Sequence, residues 1–168
     1  MVNGDRRVPV QHRRGTNLGI GLCGLVMLAM AGSAWAGDAP FVGHWHWNRA
    51  ESKLPAGEPV PADLTADFTR VDNTHVKWRI TVTSAQGQKS VESFDTPANG
   101  EFYPINSDTT ASFHVNGGTL QAIFKGAAGQ SDTLTCTLSA DQRKMTCNGA
   151  LTGTDGKTET YVDVYDRG

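Results

Sequence analysis

The sequence FVGHWHWNRAESKL, at residues 41–54, decides the fold class of this 168-residue chain. In an extended segment the side chains alternate between two faces, so Gly43, Trp45 and Trp47 share one face while His44 and His46 share the other. An aromatic face opposite a polar face is typical of a strand that covers the core of an antiparallel sheet. We therefore predict that this stretch forms the first strand of a small β-protein.

Similar alternating segments follow along the rest of the chain, separated by turn residues about every 8–12 positions, which is typical of a sandwich or barrel. The clearest is 75–83, and the Asn-Gly-Gly turn at 116–118 predicts a hairpin. Pro104 has no N–H to donate, so 102–105 is predicted to be an edge strand or a loop. We expect one all-β domain at 37–168, an antiparallel sandwich or barrel of about eight strands.

Residues 1–36 have the composition of a secretory signal peptide. An apolar run at about 18–30 follows a cluster of arginines, and Ala34-Trp35-Ala36 fits the small-x-small cleavage rule. The apolar run is short for a membrane span, and no second run follows it. We therefore expect a periplasmic or secreted protein with no membrane span in the mature chain.

The two cysteines of the mature region lie at matching positions of a predicted hairpin. If the chain turns at 139–143, Leu138 faces Met145 and Cys136 faces Cys147. Directly opposed residues can come close enough for a disulfide, and exported chains form them readily. A redox-active pair is the alternative, but the spacing is not Cys-x-x-Cys. We predict a structural disulfide between Cys136 and Cys147.

The pattern F-x-G-x-W-x-x-N-x-x-x-S-K-L at 41–54 resembles a group of lipocalin-like, calycin-type bacterial exported proteins. The segment SADQRKMT at 139–146 is similar to their S-x-D-G-K-x-M-T hairpin, with Gln142 at the position of their glycine. In lipocalins the Gly-x-Trp strand closes one end of the barrel, and a basic residue from the last strand packs on the tryptophan. The resemblance therefore implies an antiparallel up-and-down barrel of about eight strands that binds small apolar molecules, with structural roles for Gly43 and Arg167.

The function that we expect is non-catalytic binding of a small hydrophobic molecule by a monomer. A barrel interior with an apolar lining is either filled by its own side chains or holds a guest. The candidate ligand-binding residues are the aromatic side chains Trp45, Phe68, Trp78, Phe113 and Phe124, for which a purely structural role in the core is the alternative. A second function, from another class, is an envelope protein-interaction module such as a hydrolase inhibitor.

Composition and motifs also argue against several classes. The chain has a net charge of −2 and no basic run, so no nucleic-acid partner is expected. His44 and His46 could chelate a metal on one strand face, but a third ligand from His75 or His114 cannot be placed, so we predict no metal site. The sequence contains no nucleophile elbow, phosphate loop or zinc-protease motif. We therefore expect that the protein is not an enzyme and binds no cofactor.

Export is expected to remove residues 1–36, because the arginine-rich, apolar and Ala-x-Ala regions occur in the order that signal peptidase requires. Intact-mass measurement of the exported protein should then give an N-terminus at Gly37. A mature form that retains the apolar run would contradict this prediction.

Overall fold

The computed structural model describes residues 40–55 and 57–168. The predicted signal peptide, 1–36, lies outside the described residues. Within them the chain is all-β, and no helix there is long and apolar enough to cross a membrane. The strands are β1 (Gly43–Trp47), β2 (Asp63–Val71), β3 (His75–Thr83), β4 (Lys89–Pro97), β5 (Tyr103–Pro104), β6 (Thr109–Asn116), β7 (Thr119–Gly126), β8 (Ser131–Leu138), β9 (Lys144–Thr152) and β10 (Thr158–Arg167).

All ten strands belong to one antiparallel sheet with the order β4-β3-β2-β1-β10-β9-β8-β7-β6-β5. Strands that are consecutive in sequence lie side by side, except β4 and β5, and β1 pairs with β10, so the sheet curls into a nearly closed up-and-down barrel. The sheet ends at β4 and β5. Beyond β4 the chain is joined to β6 by a bridge between Asn99 and His114 and by a 2.9 Å hydrogen bond from Gly100 N to Phe113 O.

The predicted antiparallel barrel is confirmed, but the predicted count of about eight strands is too low. The two-residue β5 is too short to show a period-two pattern in sequence. It lies at the end of the sheet, where Pro104 needs no donor toward a second neighbour. The first five residues of β4 are all exposed, so the apolar alternation that marks a strand is weak there as well.

The core is formed by the inward-facing residues of this curled sheet. The largest side chains that are fully buried are Trp45, Phe41, Phe113, Leu120, Met145, Val71 and Val76. Burying each such side chain contributes about 1.5–3 kcal/mol to folding. Buried positions alternate along β3, β7 and β9, as the period-two pattern predicts, but on β2 the alternation shifts by one residue after Phe68, where the pairing with β3 is irregular.

One end of the barrel is closed by contacts between β1 and β10. Trp45 is 0% exposed, and its indole Nε1 donates to Phe41 O at 2.9 Å. The Arg167 guanidinium carbon lies 4.2 Å from the centre of the Trp45 ring, and Arg167 also donates to the carbonyls of Val42 and Gln142, each at 2.7 Å. A Cβ at Gly43 would lie 2.6 Å from Arg167 Nη1, so a larger residue at this position would displace the guanidinium.

The hairpin of β8 and β9 has the register that the sequence predicts. Cys136 pairs with Cys147 and Leu138 with Met145, and the two cysteines form a disulfide whose residues are buried. In the turn between these strands Gln142 has φ +57°, a left-handed conformation that favours glycine. This left-handed conformation explains why the hairpins that this segment resembles have a glycine at the position of Gln142.

The face assignment of β1 can be tested by paired substitutions at neighbouring positions. Trp45→Ala should cost about 3–5 kcal/mol, because it removes a fully buried indole and leaves a cavity. A domain of this size has a total stability of about 5–15 kcal/mol, so the urea midpoint should fall severely.

His44→Ala, on the exposed face, should change the stability by no more than about 0.5 kcal/mol. Equal and small effects of the two substitutions on the urea midpoint would contradict the packing described for β1.

Candidate functional site

A cavity of about 340 Å³ lies between the inner faces of the strands. Much of its wall comes from large apolar side chains, which are Leu64, Trp78, Ile80, Val82, Phe94, Phe124 and Leu134. They belong to β2, β3, β4, β7 and β8, so strands from across the sheet contribute to one wall. An apolar wall of this kind suits the body of a small hydrophobic molecule.

An aromatic cluster forms one side of the cavity. Trp78 is at its centre, with ring centres 5.0 Å from Phe68, 5.3 Å from Phe94, 5.5 Å from Phe113 and 6.2 Å from Phe124. Most of these contacts are edge-to-face, which is a favourable arrangement for aromatic pairs. The cluster is therefore a rigid surface, and the Trp78 indole N–H within it has no hydrogen-bond partner.

Polar side chains contribute the other part of the lining. Tyr161 donates its hydroxyl to Asp132 Oδ2 at 2.7 Å, and Trp47 donates its indole N–H to Asp163 Oδ1 at 2.8 Å. The second oxygen of Asp132, Oδ1, is buried and has no partner. Ser90, Glu92 and Tyr165 complete the polar lining. The cavity thus joins an apolar wall to a pair of partly buried carboxyl groups.

Burial disfavours the charged forms of these groups. It raises the pKa of Asp132, with a smaller contribution from the neighbouring charge of Asp163, while the hydrogen bond from Tyr161 opposes the rise. Burial likewise raises the pKa of Asp163 against the hydrogen bond from Trp47. The pKa of Tyr161 and of Tyr165 is also raised, mainly by burial. Ionisable groups shifted in this way inside a cavity are typical of functional sites.

A glycine on β9 makes room for Tyr161. Gly149 is the cross-strand partner of Tyr161, and a Cβ built on it would lie only 2.0 Å from the ring atom Cζ. The tyrosine ring therefore lies directly over the backbone of Gly149. This packing positions the hydroxyl for its bond to Asp132.

A smaller cavity of about 200 Å³ lies beside the chain segment that precedes β2 and is partly lined by Pro55, Pro59 and Pro61. It shares several lining residues with the larger cavity, which are Leu64, Asp132, Tyr161 and Asp163. Three of these shared residues, Asp132, Tyr161 and Asp163, form a polar cluster that lies where the two cavities meet.

The structure separates the candidate residues predicted from sequence. Trp78 and Phe124 line the larger cavity, whereas Phe68 and Phe113 pack on Trp78 in the core and are absent from the lining. Trp45 is part of the closed end, under Arg167. Contact of these five residues with a ligand stays a prediction.

The residues predicted from the sequence include neither Phe94 nor the polar cluster, because the expected lining was apolar. Asp132 and Asp163 could have been found by extending the alternation of inward-facing and outward-facing residues along β8 and β10. Asp132 lies two positions before Leu134 on β8, and Asp163 lies two positions before Tyr165 on β10. Period-two alternation places each of them on the inner face.

His44 and His46 lie on the outer face of β1. Their Nε2 atoms are 2.9 Å apart, and the Nδ1 of His44 is hydrogen-bonded to Asp67. Among residues 40–55 and 57–168, no group of three or more histidine, cysteine or acidic side chains is arranged to hold a metal ion. The close approach of the rings is accounted for by a hydrogen bond between them.

Comparisons with known proteins identify the fold. No protein-family model matches the sequence, and no curated protein matches it significantly. Among solved structures, the wild-type fluorescent protein UnaG has a TM-score of 0.51 and 16% identity, over 76% of this chain and 97% of that one. An asparagine-to-alanine mutant of UnaG has a TM-score of 0.50 and 17% identity, over 77% and 96%.

The zebrafish ileal bile acid-binding protein, complexed with cholic acid, has a TM-score of 0.48 and 13% identity, over 77% of this chain and 99% of that one. At identities this low the likeness to UnaG concerns the fold alone. The likeness to UnaG therefore agrees with the nearly closed antiparallel barrel described above, here with ten strands.

Replacement of Asp132 by asparagine should stabilise the ligand-free protein at pH 7. The raised pKa of Asp132 means that folding disfavours its charged form, so ionisation destabilises the fold above the ordinary pKa of 3.8. The gain from Asp132→Asn should shrink as the pH falls through the raised pKa, and it should vanish below 3.8. Urea midpoints measured against pH would show this trend.

Asp141→Asn is the matched control of opposite sign. Hydrogen bonds from the Ser139 side chain and the Arg143 backbone N–H lower the pKa of Asp141. This substitution should therefore destabilise the protein at pH 7 and lose its effect in acid. A shift of both variants in the same direction at pH 7 would contradict the account.

Proposed function

We propose that this chain is an exported, non-catalytic binding protein for a small hydrophobic molecule, of the lipocalin-like kind that its first strand resembles. The observation that carries the proposal is the cavity of about 340 Å³ between the strands, with its wall of apolar and aromatic side chains. Sites for small molecules commonly have volumes of about 300–1,000 Å³ and are mainly apolar, with a few polar groups that fix orientation.

The energetic basis of such binding is removal of apolar surface from water. Each methylene group that a guest buries is worth about 0.8 kcal/mol before the costs of association. The edge-to-face packing around Trp78 holds the aromatic side of the wall in place, so little side-chain ordering is needed when a guest enters. The cavity is therefore suited to bind without a large rearrangement.

The cavity favours this function over a protein-interaction module. In the part of the chain that the structure describes, the exposed large hydrophobic side chains are Val60, Val91 and Phe102. The Phe102 ring is partly covered by the Lys125 amino group, 3.9 Å from its centre. Single exposed apolar side chains are ordinary features of protein surfaces, and a docking face needs a larger continuous patch.

The location that we propose is the periplasm or the exterior of the cell. The disulfide between Cys136 and Cys147 supports an oxidising compartment, where such bonds persist. The leader-like composition of residues 1–36 supports the same location.

Within the proposed site, direct contact with the guest is assigned to Trp78 and Phe124, which line the cavity. Phe68 and Phe113 support Trp78 from behind, and Trp45 maintains the closed end. The supporting residues should therefore affect binding through the shape of the wall.

Filling the cavity should weaken binding. In the wild-type protein, the neutral fluorophore N-phenyl-1-naphthylamine should bind and brighten, because it moves from water to an apolar site. Leu134→Trp places a larger ring in the cavity wall and should weaken binding of the fluorophore at least about tenfold, a loss of about 1.4 kcal/mol.

Leu138→Trp is the matched control. Position 138 has the same residue on the same strand and inner face, but it is not part of the cavity lining. This variant should bind the fluorophore like the wild type, with thermal unfolding used to check that both variants fold. Equal binding by the two folded variants, or no binding by the wild type, would overturn the proposed function.

A further inference from the structure

We propose that the molecule bound in this cavity is an amphipathic organic cation, with an apolar body against the aromatic wall and a protonated amine at Asp132 and Asp163. This inference rests on the proposed function and adds the charge of the ligand.

The first argument is the sign of the charges that face the cavities. The larger cavity is lined by the acidic residues Asp132, Asp163 and Glu92, and the smaller one adds Glu58. No lysine, arginine or histidine lines either of these cavities. A carboxylate ligand would therefore meet like charges with no basic partner, whereas a cation would meet opposite charges.

The second argument is the unused hydrogen-bonding capacity of the polar cluster. Asp132 uses Oδ2 for Tyr161, but its buried Oδ1 has no donor. Asp163 accepts one hydrogen bond from Trp47 and, like any carboxylate, can accept more. An ammonium group has three donors and no acceptor, so it matches this set of acceptors.

The third argument concerns the aromatic side of the same cavity. Trp78 is only 6% exposed, lines the cavity, and has an indole N–H without a partner. A buried donor left unpaired is costly, so we expect the guest to carry, beside its ammonium group, an acceptor atom such as a hydroxyl or ether oxygen that pairs with this N–H. The ring faces of Trp78, Phe94 and Phe124 also attract cations more strongly than anions.

The experiment compares guests that share one apolar tail and differ only in the head group. n-Octylamine, n-octanol and n-octanoate are titrated against bound N-phenyl-1-naphthylamine at pH 7, where an alkylamine is protonated and a carboxylic acid is ionised. Octylamine should displace the fluorophore most tightly, with an apparent affinity at least about tenfold above that of octanoate. Octanol should fall between them.

Two near-isosteric variants locate the effect. Asp163→Asn and Asp132→Asn should each weaken octylamine binding at least about fivefold and leave octanol within about twofold of the wild type. Glu159→Gln removes the same charge from an exposed position of β10 outside both cavities, and it should change nothing. Thermal unfolding of each variant checks that it is folded.

The outcomes separate this inference from the proposed function. If the fluorophore does not bind to the wild type, the proposed function fails and the ligand class fails with it. If the fluorophore binds but octanol or octanoate displaces it as well as octylamine, only the cationic ligand is refuted. Unchanged octylamine affinity in both folded aspartate variants would also refute it.

Discussion

The barrel depends on the contact of Arg167 with Trp45. The guanidinium lies over the indole and donates to carbonyls of the segment before β1 and of the turn before β9, so one side chain connects the start of the barrel, its end and its central hairpin. This connection holds β1 against β10, and that pairing curls the sheet into a barrel. The β1–β10 pairing joins the part of the sheet formed by β1–β4 to the part formed by β5–β10, and both parts line the cavity.

The two parts of the interior serve different requirements. Around Trp45 and Met145 the side chains are packed without exposure, which supplies stability. Around Tyr161 the interior contains carboxyl groups whose burial is unfavourable. The tyrosine ring fits there because Gly149, its cross-strand partner, has no side chain. A protein selected for stability alone would favour apolar groups here, so the buried carboxyl groups are consistent with the proposed binding function.

Most of the fold could be predicted from alternation and turn chemistry. The β3 pattern, the hairpin of β6 and β7, and the register that brings Cys136 to Cys147 are local properties of the sequence. The cavity could be predicted only in part. Trp78 and Phe124 stand out as aromatic, but Phe94 lies on a strand with a mostly exposed pattern, and a volume depends on the packing of strands far apart in sequence. Asp132 was missed because a charge was not expected on an inner face.

The sheet of this barrel is open, with two edge strands, and does not close on itself. A closed barrel can widen only if all hydrogen bonds between one pair of strands break, whereas an open one widens when its edge strands move apart. Here the ends are β4 and β5, and they are tied near Asn99 and His114. Because Ser90, Glu92 and Phe94 of β4 line the cavity, movement of that end about the tie changes the width of the cavity directly. A small molecule can pass between the cavity and solvent through this gap without breaking the hydrogen bonds of any pair of adjacent strands.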